Sequence, residues 1–149
     1  MREEIVEFIT IREDFSEYEA ENGQILKVKQ VVTDIINSAD DDKKKARIGS
    51  RLVSHIVTPT PIDTSSLEYE PDPNKVTQAD EVKDLDFRPL KEVVNIYETK
   101  NSIILVIPRM EKIILTRKKN TDNAPHLRFK LVSDFSIIEK YPKPLPLNF

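Results

Sequence analysis

The sequence contains no cysteine, no tryptophan and only two glycines among its 149 residues. A chain without cysteine has no disulfide scaffold, no cysteine-ligated zinc site and no thiol nucleophile. About ten glycines would be usual at this length, so a glycine-rich phosphate-binding loop is excluded as well. These absences remove several classes of enzyme and make catalysis a weak expectation.

Long apolar runs are also missing. The most apolar stretch, residues 102–115, is interrupted by Pro108, Arg109, Glu111 and Lys112, and it is shorter than the roughly 20 apolar residues that cross a bilayer. The amino terminus is acidic where a signal peptide would be basic. We therefore expect a soluble, cytoplasmic protein that does not associate with a membrane.

Charged residues make up 33% of the chain, yet the net charge is only −3. The two signs are unevenly distributed. Residues 1–89 hold 12 basic and 20 acidic side chains, whereas residues 90–149 hold 11 and 6. This asymmetry has two interpretations: the halves attract each other or another copy, or the second half presents a basic surface.

The second interpretation suggests binding of single-stranded nucleic acid, because basic strand surfaces with nearby aromatic rings hold single strands in many β domains. The pI near 5.5 argues against it, since such domains commonly have a pI above about 9. The candidate residues for this alternative are Arg109, Lys112, Arg117, Lys118, Lys119, Arg128 and Lys130.

An internal repeat is the strongest pattern in the chain. Residues 7–57 align without gaps to residues 86–136 at an offset of 79, with 11 identities, where unrelated sequences would share roughly three. The motif Tyr-Glu-x-x-Asn occurs in both halves, at Tyr18 and at Tyr97. We interpret the chain as a tandem duplication.

Each half has the composition of β-strands. Asn22-Gly23 lies between two alternating segments and predicts a hairpin, because both turn residues accept a positive φ. Residues 13–21 fit either a strand or a short acidic helix. The long strands that follow the hairpins are expected to bulge, with Pro108 at a bulge or an edge.

The predicted fold is therefore all-β with little helix: two small β units of three or four strands each, packed into one pseudo-two-fold barrel or sandwich. Residues 1–57 form the first unit and residues 85–140 the second. Residues 58–84 are proline-rich and acidic and are predicted to be a linker or crossover. Residues 141–149 form a proline-rich tail with an extended, polyproline-like conformation.

Catalytic and metal-binding patterns are weak throughout. His55 and His126 have no partner at zinc-ligand spacing, and the three aspartates at 40–42 lack the alternating ligands of a calcium loop. No serine lies in a nucleophile-elbow motif. We predict no catalytic residue, no metal site and no cofactor.

The function we predict is a non-catalytic protein-binding or assembly module, possibly an accessory subunit of a larger complex. Its partner is another protein or a second copy of the chain, and nucleic acid is the less favoured alternative. Apolar side chains on a stiff tail are suited to docking in a groove, although the tail fits packing on its own fold equally well. The candidate partner-binding residues are Tyr141, Leu145, Leu147 and Phe149.

Overall fold

The computed structural model describes residues 2–40 and 43–140, with side chains for residues 3–37 and 46–140. Within these residues the chain is all-β, as predicted, with two single-turn 3-10 helices at Pro73–Lys75 and Gln78–Asp80. The strands are β1 (Arg2–Ile5), β2 (Phe8–Arg12), β3 (Ser16–Ala20), β4 (Ile25–Asp40), β5 (Lys43–Val57), β6 (Glu68–Tyr69), β7 (Glu81–Leu85), β8 (Phe87–Lys91), β9 (Asn95–Thr99), β10 (Ser102–Lys119) and β11 (Pro125–Glu139).

These strands form two antiparallel sheets, each built on one long strand. In sheet 1, β4 pairs with β5 along one edge and with β3 and β1 along the other, and β8 pairs with β3. In sheet 2, β10 pairs with β11 along one edge and with β9 and β7 along the other, and β2 pairs with β9. The short β6 adds two residues parallel to β10.

The sheets do not close into a barrel. Among the described residues, β5 pairs only with β4 and β11 pairs only with β10, so both sheets keep an open edge. The barrel, one of the two predicted architectures, is therefore wrong. A barrel was expected because closure covers the edges of a sheet. Within the described part of the chain, however, β5 and β11 are each 15 residues long and have no paired strand on their outer side.

Two sheets that face each other share one interior. Both core clusters draw side chains from both sheets, as expected where the inner faces of two sheets interdigitate. The first cluster contains Tyr18, Ala20, Leu26, Val28, Leu85, Met110, Ile113 and Leu127. The second cluster contains Val32, Ile35, Tyr97, Ile104 and Val106.

In each half the chain leaves one sheet for a single strand of the other sheet and then returns, and the two halves do so in opposite directions. β1 lies in sheet 1 and β2, two residues later, lies in sheet 2; β7 lies in sheet 2 and β8 lies in sheet 1. The two crossings use the same register, because Phe8 is opposite Thr99 and Phe87 is opposite Ala20. Each sheet is thus completed by a strand from the other half.

The ungapped alignment of the halves needs correction after the hairpin. The β9–β10 turn is one residue shorter than the β3–β4 turn, so buried Leu26 corresponds to Ile104 at an offset of 78. In the last strands the shift is larger: Leu52 is opposite Gln30, whereas Leu131 is opposite Met110. The segments Leu52-Val53-Ser54 and Leu131-Val132-Ser133 have the same sequence, but they do not occupy corresponding positions in the two sheets.

Predictions of local structure, such as turns and bulges, were more accurate than the alignment of the halves. Gly23 has φ of +91° in the predicted hairpin turn, and the helix alternative for residues 13–21 is wrong because Ser16–Ala20 is a strand. Both long strands do bulge: β4 bulges after Val32, and β10 has irregular pairing with β11 after Met110 and after Leu115 but not at Pro108. Pro108 sits where β10 has no partner on its second edge, between β9 and β7, and there its missing N–H is tolerated.

Candidate functional site

The acidic segment between the halves lies against the basic strand β10. β6 and the first four residues of β7 belong to residues 58–84, and both strands pair with β10. The Asp80 carboxylate accepts a hydrogen bond from the Arg117 guanidinium at 3.0 Å. A backbone hydrogen bond from Thr77, together with Arg117, holds the pKa of Asp80 below its ordinary value. Opposite charges in the two parts of the sequence therefore meet within one chain.

Most residues proposed for nucleic-acid binding are engaged in such ion pairs. Five of the seven contact a carboxylate, and Lys119 lies 3.4 Å from the Thr64 carbonyl. For Arg109, which is exposed, no ion pair is found among the described residues. The five pairs are Lys112–Asp84, Arg117–Asp80, Lys118–Glu68, Arg128–Glu81 and Lys130–Glu111.

The outer face of sheet 2 is apolar. Because side chains alternate between faces along a strand, and Ile104 and Val106 are buried inside, their neighbours in β10 point outward. The pairing register then places one residue from each of four strands side by side, and these residues form one row: Ile9 of β2, Glu98 of β9, Ile103 of β10 and Ile138 of β11. We call the surface formed by six outward side chains the apolar face: Ile9, Ile96, Ile103, Leu105, Ile107 and Ile138.

Several side chains of the apolar face are well exposed. Ile9 is 60% exposed, Ile138 49% and Ile107 38%, while Ile96, Ile103 and Leu105 are half-buried by their neighbours. Contiguous apolar surface of this kind is typical of a site that another polypeptide covers.

The corresponding face of sheet 1 carries ion pairs around β3, although Ile25 and Val53 also lie on it. Glu17 and Glu19 point outward from β3, where Lys27 lies 3.4 Å from Glu17 and Arg88 lies 2.8 Å from Glu19. Ion-paired side chains need no covering partner, since they remain well solvated. The two sheets, similar in strand order, therefore differ in what their outer faces can bind.

An open depression adjoins the apolar face at the end of the sheet. Its volume is about 620 Å³, and Phe8, Ile9, Glu98 and Lys140 are among the residues that line it. The Lys140 ammonium lies 2.8 Å from the Glu98 carboxylate, which neutralises the one acid in the apolar row. A corresponding depression on sheet 1, of about 410 Å³, is lined by Glu19, Glu21 and Asp86 among others.

The four tail residues predicted to bind a partner, Tyr141, Leu145, Leu147 and Phe149, lie outside the described residues. The last described residue is Lys140, whose backbone N–H donates to the Asn101 carbonyl at 2.9 Å. Its side chain turns over the outer face of sheet 2 toward Glu98. The tail therefore begins at the rim of the apolar face.

Polar groups inside the molecule form a structural network between the halves. The Tyr97 hydroxyl donates to Glu13 at 2.5 Å, and the Tyr18 hydroxyl donates to Glu92 at 3.3 Å. Burial raises the pKa of Tyr18 to about 12, and burial likewise raises the pKa of Tyr97. Both hydroxyls thus stay protonated and act as donors that join one half to the other.

The two histidines considered as possible metal ligands, His55 and His126, do not lie together in one site. His55 lies on the edge strand β5 opposite Lys27, and the His126 Nε2 is 2.6 Å from the Glu70 carbonyl oxygen. In the described part of the chain, no group of three or more His, Asp or Glu side chains is arranged to hold a metal ion. No helix within those residues has the length and apolar character needed to cross a membrane.

The apolar face was not among the sites predicted from the sequence, although the sequence carries a signal for it. The run Ile103–Ile104–Leu105–Val106–Ile107 in β10 is apolar at every position, whereas the corresponding run in β4 alternates apolar residues with lysines. A strand that is apolar on both sides has both faces covered.

The chain was compared with protein-family models, with curated proteins and with solved structures, and none of the three comparisons gave a match.

Proposed function

We propose that this protein is a non-catalytic protein-binding or assembly module whose docking surface is the apolar face. The observation that carries the proposal is a contrast at corresponding positions of two similar sheets. Glu17 and Lys27 form an ion pair on the outer face of sheet 1, and the apolar pair Ile96 and Leu105 takes their place on sheet 2. Shared folding requirements do not explain such a difference, because both faces lie outside the core. A partner that covers one of them does.

The chemistry of the face favours an extended, proline-rich apolar segment as the partner. A peptide lying across a sheet face finds no backbone acceptors there, so each of its N–H groups would be buried without a hydrogen bond. Proline has no N–H and holds the chain extended. A segment that alternates proline with leucine or phenylalanine can therefore bury apolar side chains on this face at low cost.

The two halves are, we infer, tandem copies of one β unit. The matching strand order, the common register of the two crossings and the paired depressions support this inference. The alignment of the two halves needs a gap at the hairpin and another in the last strand, and these gaps limit the similarity that an ungapped alignment of the halves detects. Duplication followed by divergence would leave ion pairs on one outer face and make the other available for binding.

Single-stranded nucleic acid remains the second proposal, and the ion pairs weigh against it. A basic side chain paired with a carboxylate contributes less to phosphate binding, since the carboxylate must first be displaced. Four of the five pairing carboxylates come from the segment 58–84, whose strands pair with β10.

The test compares substitutions at corresponding positions of the two faces. Ile103→Lys alters the apolar face, and Ile25→Lys alters the matching position on sheet 1, with both side chains half-buried. The purified full chain and both variants capture proteins from a lysate of the source cells, and each captured protein is then purified and titrated against all three. We expect at least one partner whose affinity falls about tenfold or more, roughly 1.4 kcal/mol, with I103K only.

Two results would contradict the proposal. One is that every partner binds the wild type and I103K equally well. The other is that I103K and I25K weaken binding alike, which would indicate a general effect on folding. Urea unfolding of both variants checks that they remain cooperatively folded.

A further inference from the structure

We propose that residues 141–149 of the same chain cover the apolar face, so that a partner must displace this tail in order to bind. This inference rests on the apolar face being a docking surface, as proposed above. It names the first occupant of that surface and makes the protein self-inhibited in isolation.

The place where the tail begins supports this occupant. β11 contributes Ile138 to the apolar row, and two residues later the Lys140 backbone is hydrogen-bonded to Asn101 at the end of the same sheet. The Lys140 side chain reaches Glu98, the one acid in that row. The tail therefore starts beside the apolar face and not at a distance from it.

The tail is also long enough. Nine residues follow Lys140, and nine extended residues span at most about 30 Å. The apolar row runs over four strands, and strands in a sheet are about 4.8 Å apart, which gives roughly 15 Å from Ile138 to Ile9. The tail can cross the whole face with residues to spare.

Composition favours the face over the open edges of the sheet. Pro142, Pro144 and Pro146 alternate with other residues along the tail, and proline cannot donate to a β ladder. Strand addition to the edge of β11 is therefore disfavoured. The apolar side chains available for burial on the face are Leu145, Leu147 and Phe149.

Tethering makes the intramolecular contact competitive. A segment joined by a short linker has an effective concentration in the millimolar range. If the free tail peptide binds with a Kd of about 0.1 mM, the attached tail weakens binding of the same peptide about tenfold. A partner with a similar segment faces the same competition.

The experiment uses the full chain and a synthetic peptide of residues 141–149. One variant carries Leu145→Ser, Leu147→Ser and Phe149→Ser, which disables the tail without touching the described fold. Isothermal titration should show that the peptide binds this variant saturably, and the wild type about tenfold more weakly. Adding Ile103→Lys to the tail variant should abolish peptide binding, and adding Ile25→Lys should not.

Three outcomes would overturn the inference. The peptide does not bind the tail variant, or it binds the tail variant and the wild type equally. Alternatively, sedimentation velocity shows a wild-type dimer that the three serine substitutions dissociate, which would mean that the tail occupies a second copy. If the peptide fails while captured partners still depend on Ile103, the tail proposal alone is wrong; if neither depends on Ile103, the proposed function is wrong too.

Discussion

The hydroxyl of Tyr97 donates a hydrogen bond to the carboxylate of Glu13, although 84 residues separate the two in the chain. The matching contact, from Tyr18 to Glu92, runs the other way between the halves. Tyr97 is the better connected of the two, because its oxygen also lies 3.4 Å from the Val32 N–H. Each tyrosine is buried in one half and bonded to an acid of the other.

Removing these hydroxyls should therefore destabilise the fold unequally. We expect Tyr97→Phe to lower the free energy of unfolding by about 2 kcal/mol, because a carboxylate and a buried N–H lose their partner. Tyr18→Phe, which breaks one longer contact, should cost about 1 kcal/mol. Urea unfolding measures both, and equal losses would show that the Val32 contact contributes nothing.

The same tyrosines predict a loss of stability in alkali. Burial raises the pKa of Tyr18 to about 12 and also raises that of Tyr97, whereas an unfolded tyrosine has a pKa of about 10. The unfolded chain therefore releases these protons first, so stability is unaffected below about pH 10 and falls as the pH rises toward about 12. Urea midpoints across this range should fall less steeply in Tyr18→Phe than in the wild type, and equal slopes would contradict the prediction.

Neutralising the acidic segment should release the basic strand. Replacing Glu68, Asp80 and Glu81 with Gln, Asn and Gln removes the partners of Lys118, Arg117 and Arg128. If the ion pairs block nucleic acid, the triple variant should bind a single-stranded oligonucleotide at low salt more tightly than the wild type, with a steep salt dependence.

The control for this measurement replaces Glu17 and Glu19, on the outer face of sheet 1, with glutamine. This variant removes two ion pairs but frees no residue of the proposed basic surface. Equal gains in oligonucleotide binding for both variants would indicate only the reduced negative charge. No binding by either would end the nucleic-acid proposal.

Gly49 should tolerate a side chain only when Asp34 gives way. The two residues pair across the bulge between β4 and β5, and a Cβ on Gly49 would lie 1.8 Å from the Asp34 Oδ1. We expect Gly49→Ala to cost about 1 kcal/mol, since the displaced carboxylate also loses its contact with the Thr33 hydroxyl. In an Asp34→Ala background the same substitution should cost close to nothing, and a double-mutant cycle by urea unfolding measures the difference.

Periodicity made much of the fold predictable from the sequence. β-branched residues and the Asn22-Gly23 turn specify strands and a hairpin by local chemistry, and the structure contains both. What local chemistry cannot specify is which strand pairs with which. The crossing of β2 to β9 and of β8 to β3 joins residues about 80 apart, and no short-range pattern encodes that choice.

The candidate site was less predictable, for a related reason. A lysine such as Lys118 looks available in a sequence because its partner, Glu68, lies 50 residues away. The apolar run in β10 did carry information, but whether its outward residues are covered depends on what packs over the sheet. Ile103 and Ile104 are neighbouring residues of the same type, and they differ only in the side of the sheet on which their side chains lie.

The reciprocal crossing also determines how this protein must fold. Neither half contains a complete sheet, because β2 and β8 each belong to the sheet of the other half. An isolated half should therefore remain largely unstructured, and the two halves produced as separate chains should fold only when mixed. Long-range pairing of this kind slows the search for the native state, and it leaves a nascent chain without a stable domain until β10 and β11 have been synthesised, because both core clusters need side chains from sheet 2.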